Sequence, residues 1–138
     1  MKGQEKMLTT EQIKAMDKKA QEKGKEFFYW GFYIDYLGNI IWKPGTAAIL
    51  WRRKKQHDRD YLKPTCNHRM MDGTEFHYLW AIPLAKWTTR KVEESTIDRL
   101  RAENFGEYIL NDRFVDVNHA ESVDIIIRKT YTIPLCAI

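Results

Sequence analysis

With only two cysteines, four prolines and seven glycines in 138 residues, the chain has too few of each for a disulfide scaffold, a proline-rich linker or a glycine-rich repeat. Cys66 and Cys136 stand far apart, in a chain long enough to close one hydrophobic core without a covalent staple. They are expected to be reduced thiols that serve as small packing residues. The longest uncharged apolar run is 27–34, far short of the roughly 20 residues a membrane-spanning helix requires. Nor does the lysine-rich N-terminus lead into an apolar stretch of the signal-peptide kind. These absences predict a protein that stays in the compartment where it is made, cytoplasmic and with no membrane partner.

Catalytic signatures are scarce as well. There is no Gly-x-Ser-x-Gly elbow, and Pro44-Gly45-Thr46 has neither the spacing nor the lysine of a phosphate-cradling loop. Asp58, Asp60, Asp72 and Glu75 offer carboxylates that a metal-dependent nuclease needs, but their spacing matches no established pattern. The motifs thus point away from an enzyme.

What is present is apolar and aromatic: 43% hydrophobic residues, 13% aromatic and 30% charged. That is enough apolar surface to offset the entropy of ordering the chain. No repeat or low-complexity linker divides it, so residues 1–138 are expected to form a single α+β domain. Thr9 with Gln12 makes a capping box, Leu8 and Ile13 can staple it, and Gly24 can close the helix, which predicts a peripheral helix at about 9–23. Residues 27–36 are strand formers, and Leu37-Gly38-Asn39 turns them into Ile40-Ile41-Trp42 as a β-hairpin.

Lys43-Pro44-Gly45-Thr46 reads as a second turn, followed by 47–51 as a strand or a helix capped by Thr46, of which the strand is preferred. Asp72-Gly73 marks another hairpin whose returning strand, 78–82, ends at Pro83. Apolar spacing from Val92 to Phe105 predicts a second helix at 92–104. Strands are expected at 107–110, 113–117 and 123–133. The order predicts a mainly antiparallel sheet with two helices packed on it. Phe28, Trp30 and Phe32 alternate with Phe27, Tyr29 and Tyr33, so both sheet faces need cover, from a helix or from a partner.

Charge is unevenly spread. The net charge is +4, yet residues 52–69 carry seven basic and two acidic side chains, and residues 93–138 carry five and nine. The stripe of Arg52, Arg53, Lys54, Lys55, Arg59, Lys63 and Arg69, flanked by Trp51 and Tyr61, has the composition of a surface that neutralises phosphates and stacks on bases. The bland alternative is a solvated segment that pairs with the acidic last third.

A second constellation follows from register. If Asp72-Gly73 forms a two-residue turn, His68 stands opposite His77, with Cys66 and Glu75 on the same face. Two imidazoles so placed can share a zinc ion with the cysteine.

The sequence therefore predicts a non-enzymatic module that binds nucleic acid or a phosphorylated, nucleotide-like ligand at about 51–69, with no cofactor. The alternatives are a protein-docking accessory or inhibitor of the sort viruses and mobile elements encode, working as a homo-oligomer or on another protein, and a small metal-dependent hydrolase using Cys66, His68 and His77.

Overall fold

The computed structural model describes residues 7–103, 106–109 and 113–116. Three helices, α1 (Thr10–Glu22), α2 (Leu50–Asp60) and α3 (Thr89–Glu103), pack on a five-stranded antiparallel sheet. Its strands are β1 (Lys25–Ile34), β2 (Ile40–Ala47), β3 (His77–Ala85), β4 (Gly106–Ile109) and β5 (Arg113–Asp116), in the spatial order β3-β1-β2-β5-β4. The chain is α+β, as its local signals require.

The capping box forms as its residues dictate: the Thr9 side chain accepts from Gln12 N at 3.1 Å, and Gln12 Oε1 accepts from Thr9 N at 2.9 Å. Gly24 closes the helix at φ 63°. Strands β1 and β2 form the expected hairpin, with Ile34 opposite Ile40 and Gly38 at φ 88° in the turn. The buried Asp35 carboxylate holds that turn, accepting from Leu37 N at 3.0 Å and Asn39 N at 2.8 Å.

Both faces of the aromatic strand are covered within the chain. Phe27, Tyr29 and Tyr33 join Ile13, Leu50, Tyr61, Phe76 and Tyr78 under α1 and α2, while Phe28 and Trp30 join Trp80, Ile97 and Leu100 under α3. Burying each such aromatic contributes roughly 1.5–3 kcal/mol. The aromatics of β1 are thus largely absorbed by two clusters within the chain, while Tyr36 and Trp87 stay exposed.

Several boundaries differ from the sequence reading. Residues 50–60 form a third helix, which overturns the strand expected at 47–51: Leu50, Lys54 and His57 recur on its buried face at helical spacing. Lys43-Pro44-Gly45-Thr46 is not a turn, since β2 continues through it. On the β5 side the ladder involves only Ile41 and Trp42 among the described residues, so Pro44 interrupts no described bond there.

Strand β3 likewise runs through Pro83 to Ala85, as it is the outermost strand of the sheet among the described residues. Gly73 turns with φ 81°, but no strand precedes it; only Met70 bridges, to Asp35. Helix α3 begins three residues before its expected start at 92, and ends at Glu103. The expected strand 123–133 lies outside the described residues.

Candidate functional site

Helix α2 starts without a side-chain cap of its own, as Ile49 stands at the N-cap. Asp17 of α1 replaces it: its buried carboxylate accepts from Leu50 N at 2.7 Å and Trp51 N at 3.0 Å. A negative charge there satisfies two unpaired N–H groups and suits the positive end of the helix. The basic segment is therefore folded as a helix anchored from outside.

Helical winding divides the stripe into three faces. The inward face carries Lys54, whose ammonium is buried and bonded to Glu75 Oε1 at 2.7 Å and Asp58 Oδ2 at 3.2 Å. That ammonium holds the Glu75 carboxyl below the usual range. Asp58 Oδ1 in turn accepts from Phe76 N at 2.7 Å. These ties fasten α2 to the approach of β3. Arg69 is similarly engaged, donating to Leu62 O at 2.9 Å and Asp72 Oδ1 at 2.7 Å.

The outward face carries Arg52, Lys55 and Arg59, all exposed. At 3.6 residues per turn they fall within an arc of about 60°, forming a ridge along the helix. Among the described residues Arg52 and Lys55 have no carboxylate partner, and Arg59 only skirts Asp60 at 3.9 Å. Trp51 flanks the ridge, with the Lys55 ammonium 4.5 Å and the Lys14 ammonium 4.9 Å from its ring centre. Two cations thus lie over its ring, so it widens the positive surface.

About a third of a turn round the helix, Arg53, Gln56, His57 and Asp60 face a cavity of about 320 Å³. Tyr61, Lys63, Thr65, Cys66 and Arg113 complete its lining. Arg113, only 1% exposed, donates to Asn67 O at 2.8 Å and to the Tyr33 hydroxyl, and lies 5.0 Å over the Tyr61 ring. Tyr61 is buried, stacked between His57 and Tyr33. It is thus a wall and not a stacking surface.

His57 Nε2 meets the Tyr29 hydroxyl at 2.6 Å. Burial, reinforced by Lys43, Arg53 and Arg113, pushes the imidazole down to about 2, so it stays neutral. Burial raises Tyr29 well above its ordinary value, so its hydroxyl keeps its proton and donates. Burial likewise raises Tyr33 to about 12 against the opposing pull of Arg113. Among the described residues the charged groups lining the cavity are Arg53, Lys63, Arg113 and Asp60, which binds Lys63 at 3.3 Å.

The residues expected to share a metal are not brought together as that register requires. His68 sits at φ 53° with Nδ1 3.1 Å from Asp35 Oδ2, whereas His77 pairs across the sheet with Phe32. Cys66 donates to Asn67 O at 3.3 Å and lines the cavity. The strand that would have aligned them is absent before Gly73, and among the described residues no group of three His, Cys, Asp or Glu side chains can hold a metal.

Sequence reasoning missed Gln56, His57 and Arg113. The first two stand three and four residues after Arg53, the signature of one helix face, which a strand reading of 47–51 hides. Arg113 reaches the cavity only through sheet pairing, for which the sequence carries no signal. No family model, curated protein or solved structure matches the chain. Function must be argued from this geometry.

Proposed function

We propose that the protein is a non-enzymatic module that binds the phosphate backbone of a nucleic acid along the α2 ridge. The observation that carries the reading is the sorting of the stripe: Lys54 is buried and neutralised and Arg69 is paired with Asp72, while Arg52 and Lys55 stand exposed and without a carboxylate partner among the described residues. Cations spaced one helical turn apart suit a row of phosphates, and their release of counterions drives association. Beside them the cavity of Arg53, Lys63 and Arg113 is large enough to seat a phosphate group. With Tyr61 buried and two lysines over the Trp51 ring, recognition rests on the backbone and is indifferent to base sequence.

Fluorescence anisotropy with a labelled duplex at about 50 mM salt tests this. Replacing Arg52, Lys55 and Arg59 together by glutamine is expected to weaken binding by about 10- to 100-fold, as three exposed contacts of modest strength would. Arg69→Gln should leave it within about twofold, since its charge already serves Asp72. Absence of binding, or an unchanged affinity in the triple variant, sinks the reading. The 320 Å³ cavity favours a second reading, a phosphorylated nucleotide-sized ligand; binding of a mononucleotide but of no duplex would select it.

A further inference from the structure

A groove of about 460 Å³ separates α1 from the margin of the sheet. Its walls are Ala15, Met16 and Ala20 of α1, Phe27 of β1 and Pro83 of β3. The two alanines give it depth, and Phe27, 1% exposed, lies buried against it. Three exposed lysines rim it: Lys19 and Lys23 from the helix and Lys25 from the strand. None of the three pairs with a carboxylate among the described residues. Glu26, next to Lys25, is bonded instead to Thr89 Oγ1 at 3.1 Å.

The occupant must be apolar on one side and acidic along its length. Lys19 and Lys23 lie one turn apart, about 6 Å along the axis, a spacing that carboxylates four residues apart on a docked helix match. A strand is the poorer fit: Pro83, on the outermost strand among the described residues, offers no N–H to an added ladder.

We infer that this groove docks an acidic amphipathic helix of a partner protein, its apolar stripe on the alanine wall and its carboxylates against Lys19, Lys23 and Lys25. The site is separate from the α2 ridge in residues and in chemistry.

The test uses the full chain and a labelled helical peptide of about 18 residues, long enough to form several turns, with leucines on one face bordered by glutamates. Anisotropy is expected to report binding that weakens about tenfold or more in the variant carrying both Lys19→Glu and Lys23→Glu, in line with two lost charge pairs turned repulsive. Ala15→Trp should abolish it by filling the groove, while leaving duplex affinity unchanged. The same peptide with lysine in place of glutamate should not bind. Equal binding of the acidic and basic peptides, no binding of either, or indifference to the double lysine variant would overturn the inference. Laurate binding at the groove while the acidic peptide fails would overturn it in favour of a lipid-like ligand.

Discussion

Tyr29 and His57 meet inside the protein as a phenol that keeps its proton and an imidazole that refuses one. Gly45 makes room for the pair, because a Cβ there would overlap the Tyr29 hydroxyl. The consequence for stability has a definite sign. Unfolded, His57 takes up a proton below about 6.5; folded, it does not until about 2. Its contribution is therefore full above the unfolded value and is lost as pH falls through the window between the two. From about pH 6 to pH 4 the parent protein should lose roughly 2–3 kcal/mol more stability than His57→Gln, measured by urea unfolding across that range. Glutamine can still accept from Tyr29, so parallel curves for the two proteins would show that His57 is not held neutral.

At the scale of elements, α2 is the part on which the proposed function depends, and it is held at its start by Asp17 from another helix. Asp17→Ala should destabilise the protein by about 1–3 kcal/mol, because two helix-end N–H groups lose a buried acceptor. Thermal unfolding checks this; a melting temperature equal to the parent's would remove Asp17 from the account. How legible each element is depends on where its signal lies. The α1 capping box and the Gly38 turn act within a few residues, and the sequence announces both. Helix α2 hides because its inward positions at 54 and 57 are a lysine and a histidine, which ordinary hydrophobic patterning counts as surface. Lys54 is tolerable there only through Asp58 and Glu75, and one of those partners comes from beyond the helix. Pro44 and Pro83 look like strand ends, yet both sit within strands where the described ladder leaves them room. The zinc constellation depended on one turn being a hairpin. Segment 66–69 instead passes under the β1–β2 turn, where His68 is drawn to Asp35.

For the molecule as a whole, the charge asymmetry was readable from the first count, but its meaning was not. A stripe of seven cations on paper becomes an exposed ridge of three, a pair lining a cavity, and two structural charges. Only folding reveals which cations are available to a ligand. It also brings Arg113 of β5 to the cavity that Arg53 of α2 lines. Among the described residues no helix is long and apolar enough to cross a membrane.

The central claim, that this ridge binds phosphates, is tested most directly by the salt dependence of duplex affinity. With three ridge cations and one or two at the cavity engaged, the slope of log K against log salt should be about −3.5 to −4.5 for the parent and fall to about −1 to −2 when Arg52, Lys55 and Arg59 are glutamine. A slope that is already near zero in the parent, or one unchanged by the three substitutions, would contradict the account.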